Sequence, residues 1–163
     1  MNRRGRSRLP QLQLDIAEPA LALAQHVDIQ ALFARANRAA SRAHVPYSGL
    51  RVGAALLTVS NETVTGANVE NGSYGLTICA ERAAVARAVA EGHSEFVAIA
   101  VGGDTDRVET LTSCGACLQV LTEFDPDKQL LVAFPDGQLL RVMLLADLLP
   151  VRFRMPPAHR AGA

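Results

Sequence analysis

Three cysteines are the residues of this chain whose types and spacing best suit chemistry: Cys79, and a C-x-x-C formed by Cys114 and Cys117. Thiolates at such spacings bind zinc, whose protein sites are tetrahedral. A single cysteine is more often a core residue, and a C-x-x-C alone is equally typical of a thiol redox pair. The combination of C-A-E with a later C-x-x-C favours zinc over both alternatives.

The number of thiols distinguishes a catalytic zinc from a structural one. A structural zinc normally has four protein ligands, whereas a catalytic zinc has three and a water. His93 follows a predicted helix that separates it from Cys79 by about 20 Å. His26 and His159 lie near the chain ends, which leaves His44 as the remaining candidate for a fourth side-chain ligand. His44 lies beside a predicted turn and is the less expected ligand. We therefore expect water in the fourth position.

Glu81 and Arg82 follow Cys79 directly and would give a zinc site the groups that hydrolysis needs. Zinc lowers the pKa of a bound water to about 7, and Glu81 is close enough to take its proton and pass it on. Three thiolates weaken the Lewis acidity of zinc, and Arg82 is expected to restore part of it by donating hydrogen bonds to sulfur. The simpler alternatives are a favourable helix-dipole charge at Glu81 and a solvated side chain at Arg82.

The predicted helices explain how these residues could meet. Cys79 lies in the first turn of a helix predicted over about 78–91, and the C-x-x-C begins a helix predicted over 115–124. Unpaired N–H groups at a helix N-terminus lower the pKa of a thiol and favour the thiolate. If both helices follow parallel strands, their N-termini lie at the same edge of the sheet, where α/β proteins bind ligands.

The rest of the chain alternates predicted helices and strands. Asp28 is the expected N-cap of a first helix, RVGAALLTV predicts a central strand, and NETVTGANVEN predicts its hairpin partner. Further along are predicted strands at FVAIAVGG, QLLVAF and QLLRVM and a short helix at LLADLLP. This alternation predicts an α/β layered sheet, antiparallel at the hairpin and parallel in its later strands.

Length and charge limit the classes of protein that this chain can be. Its 163 residues suit one domain, and its formal net charge of +0 produces no field that would attract nucleic acid. No apolar run reaches the ~20 residues of a membrane span, and polar residues after the basic start argue against a secretory signal. An odd number of cysteines favours a reducing compartment, so we expect a cytoplasmic protein.

The domain organisation is expected to be one folded unit with two loose ends. We assign residues 1–27 to a poorly ordered N-terminal extension, partly helical near 21–26, with an arm that docks on a partner subunit as the alternative. Residues 28–155 form the predicted catalytic domain. Residues 156–163 are expected to be a flexible tail.

Three stretches of the sequence resemble the signature blocks of a known enzyme family. VPYSGLRVGAALLT, GANVENGSYGLTICAERAAV and TSCGACLQVLTEF are similar to those of the cytidine deaminases, in the small branch whose zinc is held by three cysteines. The resemblance runs from about residue 28 to residue 155. It implies a three-layer α/β/α sandwich around a mixed, mostly five-stranded sheet.

The resemblance also implies a reaction, the zinc-dependent hydrolytic deamination of cytidine, and of deoxycytidine, in pyrimidine salvage. Cys79, Cys114 and Cys117 would hold one zinc per chain. Glu81 would move protons to N3 of the base and then to the departing amine.

The substrate contacts that the family implies fall on further residues of this chain. Asn68 and Glu70, in NVEN, match the pair that hydrogen-bonds the ribose hydroxyls, and the backbone amide of Ala80 matches the group that meets the base carbonyl. A turn residue is the simpler alternative for Asn68. Because an amide and a carboxylate suit two neighbouring alcohols, the ribose assignment is chemically reasonable.

The family is commonly a homotetramer whose active sites share residues between subunits. Tyr74 resembles a residue at that boundary, and Phe153 matches a C-terminal aromatic that closes over the base; both could instead be plain core or surface aromatics. With 4% aromatic residues, the chain has little material for stacking single-stranded nucleic acid. A free nucleoside is therefore the expected partner.

At three positions the chain departs from the family pattern. Leu50 stands where phenylalanine usually stacks on the pyrimidine, and Leu118 stands where arginine follows the second cysteine of the C-x-x-C. Ser113 replaces the proline before the C-x-x-C, and its hydroxyl could cap the helix. These changes bear on substrate preference more than on chemistry. The alternatives left open are deamination of another aminopyrimidine nucleoside such as blasticidin S, a zinc-bearing scaffold without activity, and a thiol redox protein.

Overall fold

The protein folds as a mixed β-sheet with helices, in a computed structural model that describes residues 12–125, 127 and 129–155. The strands are β1 (Gln13–Ile16), β2 (Val52–Thr58), β3 (Thr63–Ala67), β4 (Phe96–Gly103), β5 (Leu131–Asp136) and β6 (Leu139–Leu144). The helices are α1 (Leu21–Ala24), α2 (Ile29–Ala40), α3 (Ala80–Ala90), α4 (Gly115–Leu121) and α5 (Leu145–Leu148). The expectations for 1–11 and 156–163 lie outside the described residues.

Side chains that alternate along the central strands divide the protein into three layers. Leu56 and Ile99 pack on one face of the sheet in a core cluster with residues of α3, α4 and α5. Their neighbours Ala55 and Ala100 pack on the other face with residues of α1 and α2. The expected three-layer α/β/α sandwich is therefore confirmed.

The ends of the helices follow the predicted signals. The Asp28 carboxylate accepts a hydrogen bond of 2.9 Å from the backbone N–H of Ala31 and so caps α2. Helix α3 ends at the C-cap Glu91, and Gly92 after it has a φ of +92°, which favours glycine. Among the described residues, every helix is too short or too polar to cross a membrane.

The directions of the strands bring two helix N-termini to one edge of the sheet. The strand order is β1-β6-β5-β4-β2-β3, and β3 and β4 both run antiparallel to β2, hence in the same direction as each other. Helix α3 follows β3 in the chain, and α4 follows β4. Both helices therefore begin at the edge of the sheet where β3 and β4 end.

The expectation of parallel pairing in the later strands holds for β4 and β5 but is wrong for β5 and β6. Only Gly137, with a φ of +56°, and Gln138 join β5 to β6. A parallel pair needs a crossover of a dozen or more residues, so this two-residue connection permits only a hairpin.

An additional strand makes the sheet six-stranded where mostly five strands were expected. Within the described part of the expected loose extension, β1 pairs in parallel with β6, and Asp15 forms an ion pair with Arg141 at 2.6 Å. Ala20 and Ala24 are buried against the α2 side of the sheet. Residues 12–27 were expected to be poorly ordered. In the structure they instead complete the edge of the sheet and part of the core.

Gly66 in β3 lets α3 lie directly on the sheet. A Cβ at this position would come within 2.4 Å of Ala80 O and Ala84 N. No side chain fits in that space, so the strand and the first turns of α3 approach backbone to backbone. This contact fixes the N-terminal end of α3, from which the candidate site is built.

Candidate active site and metal centre

The sulfur atoms of Cys79, Cys114 and Cys117 meet at the shared edge of the sheet, all within 4.8 Å of one another. Cys79 and Cys114 are the N-cap residues of α3 and α4, and Cys117 lies in the first turn of α4. Zinc–sulfur bonds of about 2.3 Å in a tetrahedral site place sulfurs about 3.8 Å apart. The Cys114 and Cys117 sulfurs are 3.6 Å apart. The trio fits one zinc, and the predicted convergence is confirmed.

The cluster of metal-ligand groups in the described part of the chain contains the three cysteines and no histidine or carboxylate. His44, the remaining candidate for a fourth ligand, instead bridges through its backbone to Asn68 and Glu70. A set of three thiols is the donor set of an open zinc site, in which one position is left for solvent.

The pKa values of two of the thiols are shifted in opposite directions. A hydrogen bond from the Cys117 thiol, followed by one from Arg82, lowers the pKa of Cys79 to about 5. The same hydrogen bond and burial raise the pKa of Cys117. Zinc would displace the Cys117 proton and bind a Cys79 that is already a thiolate at neutral pH.

The carboxyl group of Glu81 is buried beside the sulfurs, with 4% of the residue exposed. Burial is the main cause that raises the pKa of Glu81, and the nearby Cys79 thiolate raises it further. Hydrogen bonding from its own backbone amide opposes the shift. A buried carboxyl group whose pKa is raised by its surroundings is suited to general acid–base catalysis.

Arg82 turns back toward the N-terminus of α3. Its Nη2 donates a hydrogen bond of 2.8 Å to Thr77 O and lies 3.9 Å from the sulfur of Cys79. The contact with Thr77 fixes the guanidinium in place, so its charge stays beside the thiolate.

A cavity of about 150 Å³ opens beside Cys79 and Cys114. The predicted residues that line it are Asn68, Cys79, Ala80, Glu81 and Cys114. A second cavity, of about 420 Å³, shares Thr77 with the first and is also lined by Glu70 and Tyr74. The smaller cavity is suited to a flat ring, and the larger cavity is suited to a substituent of that ring.

Sequence reasoning missed Thr77 and Thr112, which line the smaller cavity together with Val52, Val101 and Leu111. Each threonine stands two residues before a cysteine, in the strings TIC and TSC. This repeated T-x-C pattern was the available signal for their place at the site.

Asn68 lines the smaller cavity but uses most of its amide elsewhere. Its Oδ1 accepts a hydrogen bond of 2.9 Å from Val52 N, and its Nδ2 donates one of 3.0 Å to Leu50 O. One N–H of the side-chain amide remains for a ligand. Leu50 is half-buried and held by this contact, but it is absent from the described linings of both cavities.

The carboxylate of Glu70 faces the larger cavity and is fixed by the preceding turn. One of its oxygens, Oε2, accepts hydrogen bonds from Tyr47 N at 2.9 Å and Ser48 N at 3.2 Å. The Ser48 hydroxyl, and then the Tyr47 amide, lower the pKa of Glu70. An ionised carboxylate with one oxygen still available can accept hydrogen bonds from alcohols.

The two predicted aromatic contacts lie on the surface of the chain. Tyr74 is 76% exposed and packs edge-on against Tyr47, with ring centroids 6.0 Å apart. Phe153 is 66% exposed and is absent from the described linings of both cavities. Within one chain, therefore, Tyr74 reaches the larger cavity and Phe153 reaches neither.

Ser113 does not cap α4, so that expectation is wrong. Cys114 is the N-cap and makes no side-chain capping bond. The Ser113 hydroxyl is buried, and instead of capping the helix it lies near the Glu81 carboxyl group, whose pKa it lowers. Helix α4 begins at Gly115, so its N-cap is Cys114, one residue later than the expected cap at Ser113.

Comparisons with known proteins identify one family. Residues 26–133 match the family model described as the cytidine and deoxycytidylate deaminase zinc-binding region. A cytidine deaminase of Halalkalibacterium halodurans is 44% identical over 128 residues, which are 78% of this chain and 95% of the relative.

Solved structures agree with this match. The crystal structure of cytidine deaminase from Burkholderia pseudomallei is 44% identical with a TM-score of 0.69, over 76% of this chain and 97% of that one. The structure from Mycobacterium tuberculosis is 42% identical with a TM-score of 0.68, over 79% and 99% of the two chains.

Proposed function

Because the chain belongs to the family of cytidine and deoxycytidylate deaminases, we propose that it catalyses the hydrolytic deamination of cytidine to uridine and ammonia. The observation that carries this proposal is the meeting of three sulfurs and the buried Glu81 carboxyl group at one small cavity. A thiol redox protein would have no use for Glu81 at that place.

Cys79, Cys114 and Cys117 would hold one zinc per chain. When bound, zinc activates a water molecule at neutral pH. Three thiolates bring more negative charge than the ion carries, and the guanidinium of Arg82 beside Cys79 offsets part of that excess.

Glu81 moves the protons of the reaction. The oxygen of water adds to C4 of the base while one proton passes through the carboxyl group to N3. The second proton then goes to the amine, the C4–N bond breaks, and ammonia leaves as the C4 carbonyl forms. Burial raises the pKa of Glu81, which suits a group that must accept and return a proton in the same cycle.

The base would occupy the smaller cavity. Ala80 lines it and is the first residue of α3, where backbone N–H groups have no partner within the helix. We assign this amide to the carbonyl of the pyrimidine. Leu50, whose backbone carbonyl accepts a hydrogen bond from Asn68, would offer apolar contact to the base where an aromatic ring would stack.

The ribose would extend into the larger cavity. The free N–H of Asn68 and the free oxygen of Glu70 lie on the two adjoining cavities and are complementary to neighbouring hydroxyl groups. Deoxycytidine lacks one of the ribose hydroxyl groups. We expect it to be accepted as well, because Glu70 would bind a hydroxyl group that the deoxyribose keeps.

We also propose that the protein acts as a homotetramer with shared active sites. The surface positions of Tyr74 and Phe153 support this proposal, because both are large apolar side chains exposed on one chain. In the assembly Tyr74 would lie at a subunit boundary, and Phe153 would close over a base bound by a neighbouring copy. Three free cysteines are consistent with a reducing cytoplasm as the site of action.

The proposal is tested by measuring ultraviolet absorbance changes of zinc-loaded protein with cytidine, deoxycytidine, deoxycytidylate and blasticidin S. We expect turnover of cytidine and deoxycytidine. Turnover of another aminopyrimidine with no reaction of either nucleoside would overturn the substrate assignment. Relatives at 42–44% identity are cytidine deaminases, so the other aminopyrimidines are the less favoured substrates.

A further inference from the structure

The last described residues of the chain, 151–155, form a segment that we call the C-terminal segment. The side chains of Val151, Phe153 and Met155 are exposed at alternate positions, by 87%, 66% and 74%. Between them the side chain of Arg152 is 4% exposed. The segment is thus attached through its polar atoms and presents its apolar side chains to the surroundings.

The first attachment is to the side-chain amide of Gln119 in α4. Its Nε2 donates a hydrogen bond of 2.9 Å to Phe153 O, and its Oε1 accepts one of 3.2 Å from Phe153 N. The amide therefore binds both backbone groups of one residue, as a neighbouring strand would. Gln119 lies two residues after Cys117, so this bond joins Phe153 to the helix that carries two of the zinc ligands.

The second attachment is a buried ion pair. Arg152 Nη2 lies 2.9 Å from Asp125 Oδ2, with both side chains almost fully buried, and Arg152 Nη1 donates to Asp125 O at 3.2 Å. The other oxygen of Asp125 accepts from Gln129 N and Leu130 N, which holds the carboxylate in place. A buried ion pair adds little net stability but fixes geometry, because neither charge can be left alone in the interior.

We infer that Gln119 and the Arg152–Asp125 pair form a latch that positions Phe153. Gln119 fixes the backbone of Phe153, and the ion pair fixes the preceding residue, Arg152. The aromatic ring of Phe153 therefore projects from the surface in a defined direction. This inference rests on the proposed function, in which Phe153 closes over a base bound by a neighbouring copy. A pre-ordered ring loses less freedom on binding than a loose one, so the latch acts on substrate affinity.

The test compares Gln119→Met with Gln138→Met at an exposed glutamine in the β5–β6 turn. Gln119→Met keeps the length of the side chain and removes both hydrogen bonds to Phe153, together with a 3.1 Å hydrogen bond to the Thr122 hydroxyl within the same helix end. In Gln119→Met we expect KM for cytidine to rise about 3- to 10-fold with kcat within twofold and zinc content unchanged. Gln138→Met should match the parent. The double variant Arg152→Met with Asp125→Asn, which removes both charges of the buried pair together, is the second latch variant, for use if Gln119→Met folds poorly.

Limited trypsin digestion of the zinc-loaded protein gives a readout that does not depend on activity. The bonds after Arg152 and Arg154 lie in the C-terminal segment, and mass spectrometry separates their cleavage from other sites. We expect faster cleavage at these bonds in Gln119→Met than in the parent or Gln138→Met. Equal cleavage and an unchanged KM would overturn the latch.

A double-mutant cycle with Phe153→Ala separates the latch from the proposed function. If Gln119 acts through Phe153, Gln119→Met raises KM no further in the Phe153→Ala background. Independent effects that multiply would overturn the positioning role. If Phe153→Ala leaves KM unchanged while Gln119→Met still opens the segment to trypsin, the latch stands and the role proposed for Phe153 in substrate binding is wrong.

Discussion

The guanidinium of Arg82 lies 3.9 Å from the sulfur of Cys79 and is held there by a 2.8 Å hydrogen bond to Thr77 O. The two residues are one turn apart at the start of α3. A positive charge at this distance stabilises the thiolate form of Cys79 and draws electron density from the sulfur. One thiol of the metal site and the guanidinium beside it are therefore positioned by the same helix turn.

Substituting Arg82→Met should lower activity without removing the metal ligands. Loss of a group that supports a metal ligand typically costs about 10- to 100-fold in metal affinity or activity. Arg87→Met on the same helix is the control, since Arg87 pairs with Glu91 in an exposed contact far from the sulfurs. Measurement of kcat and zinc affinity for both variants checks the prediction. Equal values for the two would contradict it.

Zinc binding should strengthen as pH rises. The pKa of Cys117 is raised by its hydrogen bond to Cys79 and by burial, so its proton must leave when the metal binds. We expect at least one proton released per zinc, and affinity that increases about tenfold or more per pH unit near neutrality. Chelator competition at two pH values, with proton release followed in weak buffer, measures both. An affinity that does not change with pH would contradict the raised pKa of Cys117.

Substituting Leu50→Phe should tighten cytidine binding. Leu50 is held by Asn68 Nδ2 at 3.0 Å and by the Ser48 hydroxyl at 2.9 Å, so its backbone should not move. An aromatic ring stacked on a base adds about 0.5–1.5 kcal/mol. We expect KM to fall by roughly 2- to 10-fold with little change in kcat. A KM that rises in a variant of unchanged zinc content would show that the ring does not reach the base.

Deleting residues 1–17 should destabilise the protein while leaving the zinc site intact. The deletion removes β1 and its pairing with β6, where net hydrogen-bond contributions of about 0.5–1.5 kcal/mol each are lost. We expect the thermal midpoint to fall by at least about 5 °C. Asp15→Asn, which breaks only an exposed ion pair, should cost less than about 1 kcal/mol. Equal midpoints for deletion and parent would mean that β1 contributes nothing.

The candidate site was largely predictable from sequence because its signals are local. Cys79 and Cys114 lie where two helices begin, and the apolar runs before those helices identify the strands that bring them together. The β1 strand was missed although QLDI alternates polar and apolar residues, because a four-residue alternation is a weak signal and the partner strand β6 lies more than a hundred residues away. The Ser113 cap failed for a related reason, since the residue that begins a helix depends on the packing of the helix.

In the proposed reaction Glu81 moves protons at a site whose metal is held by other residues. The direct measurement is cytidine turnover by Glu81→Gln, with zinc quantified in the same sample. We predict about one zinc per chain, as in the parent, with turnover reduced by about 10²-fold or more. Turnover close to that of the parent at full zinc content would contradict the role of Glu81 in proton transfer.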